Sequence, residues 1–270
     1  MWKWEAEGQP RAVIAIIHSA YEHHRWYAWL IEKLRMNGFH IVMGDLPGHG
    51  EQYKFTRAHN EDFEEYRLHT VQVLKVAAEY NLPIFIIGNG LGGLITLTSL
   101  PKIKTEIAGT LLISPWIHLK KTPGKLSNAL TSLGKLTSNV KLTHDVTFND
   151  FSRNSEVYSE MKSDDLPFNN VITVKWYQEL QTQMKLVRNP ELKLKDIPML
   201  VMTGGQDSIS DIAASKNWLI HHAKYLSHFQ YREWKSSYHS LYFEVEREDI
   251  FRYTLDFINN CLRSVGYIIE

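Results

Sequence analysis

Six consecutive residues come closest to defining a chemistry: Gly88-Asn89-Gly90-Leu91-Gly92-Gly93. They follow an apolar, strand-like run, Ile84-Phe85-Ile86-Ile87, and lead into a helical pattern from Leu91 to Leu100. A strand, a sharp glycine-flanked turn and a helix are the parts of a nucleophile elbow, G-x-S-x-G, whose strained turn presents a serine to a carbonyl carbon. Gly88 and Gly92 supply the flanks, which let helix and strand approach closely. The nucleophile position holds Gly90, which has no side chain with which to attack. The same residues also satisfy G-x-G-x-x-G through Gly88, Gly90 and Gly93, a dinucleotide fingerprint that needs an acid about 20 residues further on. The next strand-like segment, Ile107 to Ser114, has Glu106 just before it and ends in Ser114-Pro115, so the acid is misplaced and no cofactor is expected.

Acyl transfer from such an elbow also needs a general base and an acid to orient it, in the chain order Ser, Asp or Glu, His. Asp207 follows the apolar run Met199 to Thr203 across Gly204-Gly205-Gln206, a turn suited to presenting a carboxylate. His239 follows a strand-like run ending near Trp234, within Ser237-Tyr238-His239-Ser240. Taken singly, a turn-capping Asp and a surface-loop His are the commoner occurrences. Their joint placement after successive strands, both beyond position 90, reads as the remainder of a triad. The 13 histidines do not suggest a metal: His23-His24 and His221-His222 are adjacent pairs that diverge on a helix, and no H-E-x-x-H or Cys-His cluster occurs.

The elements that would hold these residues alternate. Ala12 to Ile17 reads as a strand buried on both faces, and Trp26 to Met36 as a helix stopped by Asn37-Gly38. Phe39 to Met43 is a second strand, followed by Gly44-Asp45-Leu46-Pro47-Gly48-His49-Gly50. A long helix comes next, with Asn60 as its expected N-cap, Glu61, Asp62, Glu64 and Glu65 at its positive end, and an apolar face through Phe63, Leu68, Val71, Leu74 and Ala78. After the elbow come a strand at Gly109 to Ser114, the strand Met199 to Thr203, a helix near Ile212 to Ala223, a strand near Phe229 to Trp234 and a last helix, Arg247 to Leu262. This order implies a mostly parallel sheet with helices on both faces. Between Trp116 and Leu192 the rhythm breaks into amphipathic helical patterns with no clear strand. An insertion that long should fold as a lid, which gives a core of residues 1–115 and 193–270 and a lid of residues 116–192. A lid belongs over the carboxyl ends of the strands, where such sheets bind ligands. Trp176, Tyr177, Leu180 and Met184 fall at helical spacing there and should pack on the core or line the pocket, with plain packing the commoner outcome.

Bulk properties exclude several classes. At 270 residues and 44% hydrophobic the chain has ample apolar residues for a core. Thirty basic and thirty acidic residues cancel, so no global field attracts nucleic acid. The start, Met1 to Glu7, lacks the apolar core of a signal peptide, and no apolar run approaches the roughly 20 residues that span a bilayer. The single cysteine, Cys261, fits a reducing compartment, and a cytoplasmic protein is expected.

Over nearly its full length the chain resembles the monoacylglycerol lipase and lysophospholipase group of α/β-hydrolases (the serine aminopeptidase S33-like group), particularly its short bacterial members. The family's H-G-x-x-E appears as His18-Ser19-Ala20-Tyr21-Glu22, and its G-x-D-x-x-G-x-G loop as Gly44 to Gly50, shifted by one at the first glycine. R-G-H appears as Arg57-Ala58-His59, and S-R-D-x-x-V as Ser152-Arg153-Asn154-Ser155-Glu156-Val157. Ser163-Asp164-Asp165-Leu166 stands where D-P-L is usual. Acid and base fall at Asp207 and at His239, with Glu244 behind it. The resemblance implies an α/β-hydrolase fold with an inserted helical lid, an acyl-ester or lipid-like ligand, and the Ala20 and Leu91 N–H groups as oxyanion-hole donors. The departures gather at the chemistry: Gly90 for serine, Asn89 for histidine, Ser19 and Ala58 for glycines, and His24 where glycine is frequent. Several coincident changes of this kind point to a naturally diverged site with hydrolysis weak or lost. The alternatives are a general base acting without a serine, or a substitute nucleophile. Ser19 lies on the oxyanion loop, where nothing in the pattern directs its side chain at His239.

Overall fold

The computed structural model of the protein describes residues 1–51, 58–124, 138–166 and 168–264. Arg57 of the R-G-H signature lies outside them. A seven-stranded sheet takes the order β1-β3-β2-β4-β5-β8-β9, built from β1 (Trp2–Trp4), β2 (Ala12–Ile17), β3 (Phe39–Met43), β4 (Ile84–Asn89), β5 (Gly109–Ile113), β8 (Met199–Gly204) and β9 (Phe229–Trp234). Only β1 runs antiparallel, pairing with β3. The five inner strands β3, β2, β4, β5 and β8 are buried along their whole length, as mainly apolar runs require when helices cover both faces. On the edge strand β9 the run turns polar, with Gln230, Arg232 and Glu233, and Phe229 is exposed.

Strand periodicity sorts the core into two layers. Val13, Ala15 and Ile17 point to the face covered by α2 (Phe63–Ala78) and α3 (Leu91–Ser99). Ala12, Ile14 and Ile16 point to the opposite face, under α1 (Ala28–Met36) and the last helix, α8 (Arg247–Ser264).

Helix α2 corrects two expectations. Its N-cap is Asp62, not Asn60, in a capping box with Glu65. Its core-facing residues are Phe63, Tyr66, Thr70, Val73, Leu74, Val76 and Ala77, whereas Leu68 is exposed. The sequence pattern placed the apolar stripe too far round the helix because Tyr66 and Thr70 are polar by type. Both find partners: Thr70 Oγ1 donates to the Tyr66 carbonyl, and Tyr66 Oη accepts from the Trp176 indole at 2.8 Å.

Residues 116–192, expected to lack strands, contain β6 (Lys141–Thr143) and β7 (Val171–Thr173) in an antiparallel pair. Three residues each are too few for periodicity to register. The same stretch carries α4 (Phe148–Phe151), α5 (Ser155–Ser163) and α6 (Val174–Val187), and α7 (Ile212–His222) follows β8. Trp176, Tyr177, Leu180 and Met184 of α6 are buried in the layer that holds α2 and α3. His59 clasps β7 through backbone bonds to Val171 and Thr173.

Strands β2 and β4 are the topological switch point: the chain leaves β2 towards β3 on one side and leaves β4 towards β5 on the other. In open parallel sheets the crevice beyond such a pair is where ligands bind. The two strands pair in register with Ile17 opposite Gly88, so Ser19 and Gly90, each two residues on, leave the sheet side by side.

Candidate active site

The elbow is built as its sequence requires. Gly90 has φ +48° and ψ −110°, a conformation that L-residues rarely adopt, and it caps α3. A Cβ at Gly92 would run into the carbonyl oxygens of Ile17 and His18, so the helix can sit this close to β2 only without one. Backbone bonds hold the turn: Gly90 N–H donates to Ile113 at 2.8 Å, and the Gly90 carbonyl accepts from Trp116 at 3.1 Å.

Position 90 is not empty space. A Cβ added there would overlap Ser19 Oγ and stand 2.9 Å from Ser19 Cβ and 2.9 Å from His239 Nε2. Ser19 Oγ accepts a hydrogen bond from Leu91 N–H at 3.1 Å. The serine of the preceding loop therefore fills the volume that an elbow side chain would use. Its Oγ also takes one of the two N–H groups that the family resemblance assigns to an oxyanion. Among the described residues the other, Ala20 N–H, makes no hydrogen bond.

Ser19 is held on both sides. Its N–H donates to Glu22 Oε2 at 2.9 Å, and its carbonyl accepts from His18 Nδ1 at 2.7 Å, while His18 Nε2 accepts from Leu46 N–H. Glu22 is fully buried, and burial raises its carboxyl above the usual range against the pull of its donors. Those donors are Tyr27 Oη at 2.5 Å, Asn89 Nδ2 at 3.3 Å to each oxygen, and Ser240 Oγ at 3.3 Å. Asn89 also donates to Tyr27 Oη at 3.0 Å, and among the described residues its Oδ1 finds no partner. Tyr27 and Ser240 were not singled out in the sequence. Only their proximity to Glu22 and His239 in the chain hinted at them.

Asp207 and His239 come together from the loops after β8 and β9. Asp207 Oδ2 lies 2.8 Å from His239 Nδ1, and both side chains are buried. Asp207 accepts further bonds from the N–H groups of Ile209 at 2.8 Å and Ser210 at 3.0 Å, and from the Ser210 hydroxyl. Burial alone would raise its carboxyl; the facing His239 and these donors hold it below its ordinary value. Burial works against a charge on His239, but the Asp207 carboxylate outweighs it and holds the imidazole above its ordinary value.

The second nitrogen of His239 is in use. The Trp116 indole N–H donates to Nε2 at 3.2 Å. An indole only donates, so this bond exists only while Nε2 is unprotonated, with the proton on Nδ1 facing Asp207. The Trp116 and Phe151 rings each lie 6.4 Å from the His239 ring, and Tyr21 reaches over Trp116 to bond His144 Nδ1 at 2.7 Å. Behind His239, buried Glu244 accepts from Tyr238 N–H at 2.7 Å and pairs with Arg153 Nε at 3.4 Å, tying residues 152–157 to the base loop.

Among the described residues no group of three or more His, Cys, Asp or Glu side chains is arranged to hold a metal ion, and no helix is long and apolar enough to cross a membrane. A parallel sheet with an elbow after β4 and an Asp-His pair after its last two strands is the architecture of the α/β-hydrolases. The chain belongs to the serine aminopeptidase, S33, family, which it matches over residues 8–246. It is 34% identical over 254 residues to phospholipase YtpA of Bacillus subtilis, covering 93% of this chain and 96% of that protein. It is 28% identical over 221 residues to monoglyceride lipase of Rattus norvegicus, covering 77% and 69% of the two chains. The monoacylglycerol lipase of Paleococcus ferrophilus shares the fold with a TM-score of 0.80 at 22% identity, across 96% of this chain and 98% of that one.

Proposed function

We propose that this protein is a lipid-directed α/β-hydrolase relative that binds an acyl ester or similar amphiphile, with ester hydrolysis at the elbow lost. The observation that carries the reading is Gly90 in the nucleophile position of an elbow that keeps its strained turn, beside an intact Asp207–His239 pair. Removing the serine from a Ser-His-Asp triad costs on the order of a million-fold in turnover. The names of the relatives, a phospholipase and a monoglyceride lipase, support a lipid-like ligand here. Residues 116–192 act in this reading as a lid, and the aromatic groups over His239 as the apolar wall against which a chain packs. The Ala20 and Leu91 N–H groups are then the places for a carbonyl or carboxylate oxygen, once Ser19 Oγ yields the second. The lone buried Cys261 supports a reducing, cytoplasmic setting.

The intact pair also favours a second reading, in which His239 acts as a general base on water. The Trp116 bond to Nε2 must open before His239 can take a proton, which makes that route slow.

The test is calorimetric titration with 1-O-dodecylglycerol, an ether that cannot be hydrolysed, alongside fatty-acid release from 1-dodecanoylglycerol. Binding of the ether with ester turnover at least about a thousand-fold below that of a serine-bearing relative is expected. Absence of binding sinks the lipid reading. Full turnover sinks the loss of hydrolysis.

A further inference from the structure

We infer that the nucleophile has moved rather than vanished: Ser19 Oγ, presented from the loop after β2, is the group that takes the acyl chain. This rests on the acyl-ligand reading above. The oxygen occupies the volume of the missing elbow side chain, beside the same N–H group, with His239 Nε2 2.9 Å from the point where a Cβ on Gly90 would stand. The register of β2 against β4 makes this possible, since it sets residues 19 and 90 side by side. Glu22 and His18 clamp the Ser19 backbone, and the bond from Leu91 N–H holds its Oγ. Leu91 N–H opens a nine-residue helix, whose positive end lies at Oγ.

The steps balance as follows. A lone pair of Ser19 Oγ forms a bond to the ester carbonyl carbon, the C=O pair moves onto the carbonyl oxygen, and the hydroxyl proton passes to His239 Nε2. Trp116 must release Nε2 before the proton can arrive, because the indole N–H holds its lone pair; that freed N–H and Ala20 N–H then face the carbonyl oxygen. The C=O pair then returns, the bond to the alcohol oxygen breaks, and that oxygen takes the proton from Nε2, leaving acyl-Ser19. Water, giving one proton to Nε2, attacks the acyl carbon and releases the carboxylic acid, and the proton returns to Ser19. The bond that the Trp116 indole makes to Nε2 must break in each turnover, so the route is slow beside that of an elbow serine.

The experiment is labelling of the full-length protein with an alkyl fluorophosphonate, read by intact mass and peptide mapping. Oγ displaces fluoride from phosphorus, and the proton leaves with it as HF. A single adduct on the Ser19 peptide is expected, absent in Ser19→Ala and formed about 100-fold more slowly in His239→Ala. Ser19→Gly, the residue of the related motif, replaces Ser19→Ala if that variant folds poorly. No adduct, an adduct on another residue, or labelling that survives loss of Ser19 overturns the proposal. Titration with 1-O-dodecylglycerol separates the two readings. Ether binding without an adduct overturns the transposed nucleophile and leaves the lipid reading intact. An adduct on Ser19 without ether binding upholds the nucleophile and removes the lipid ligand.

Discussion

The hydroxyl of Ser19 stands where Gly90 lacks a side chain: a Cβ on residue 90 and the Ser19 Oγ in its present rotamer cannot both be accommodated.

Restoring the elbow therefore takes two changes. Gly90→Ser alone must displace Ser19 and carry a side chain at φ +48°, so it should lose about 2–5 kcal/mol in denaturant unfolding and hydrolyse esters no faster than the parent. Adding Ser19→Gly removes the overlap and frees Leu91 N–H. The double variant should recover about 1–3 kcal/mol and hydrolyse p-nitrophenyl butyrate at least about 100-fold faster than Gly90→Ser. A folded double variant no faster than its His239→Ala counterpart would show that the turn cannot present a serine.

Trp116→Phe removes the indole N–H from His239 Nε2. That bond favours the neutral ring, so its loss should raise the imidazole pKa by up to about 1 unit, the worth of one hydrogen bond. Histidine resonances followed by NMR across pH 5 to 9 check this, and a downward shift contradicts the assigned tautomer. Because the folded-state value already lies above the ordinary one, the His239–Asp207 pairing stabilises fully below pH ~6.5 and is lost as pH rises through the folded value.

Glu22→Ala unpins the Ser19 backbone, Tyr27 Oη, Asn89 and Ser240 together. A loss of about 2–4 kcal/mol is expected by chemical denaturation, against a smaller loss for Glu22→Gln, whose amide keeps the volume and one acceptor oxygen.

Acid should destabilise the fold early. Burial lowers His49 to about 3 and His144 to about 4, so each binds a proton when unfolded, but not when folded, at any pH between that value and ~6.5. Stability then falls as pH drops from 6.5 to 4, by about 1.4 kcal/mol per pH unit for each histidine. Melting temperatures across that range should fall steadily, and His144→Gln should flatten the slope. A flat profile in the parent would mean that the two rings are not buried neutral.

The sheet was legible because β2, β4, β5 and β8 begin as short apolar runs bounded by turn residues, the pattern of doubly covered parallel strands, and alternate with helical patterns. The cap of α2 was also written in the chain, as Asp62 three residues before Glu65, but Asn60 competes with it by type alone. Asp207 and His239 could be singled out because each follows a readable strand. The contact of Ser19 with Gly90 was not legible, because it depends on the pairing offset of two strands that lie far apart in sequence. The Trp116 bond to His239 was hidden for a different reason: an aromatic side chain just beyond the end of a strand gives no sign of which ring its N–H will meet.

The steric exclusion between residues 19 and 90 also constrains history. A chain with glycine at 19 and serine at 90, the arrangement of the related motif, cannot gain Ser19 first without forcing two side chains into one volume. The permissive path gives up the elbow serine before the loop serine arrives. Once Ser19 is in place, a single reversion at position 90 meets the same obstacle from the other side. The two positions form a ratchet: by single steps that avoid the overlap, the arrangement of the related motif is reached through a doubly glycine intermediate, with neither hydroxyl in the site.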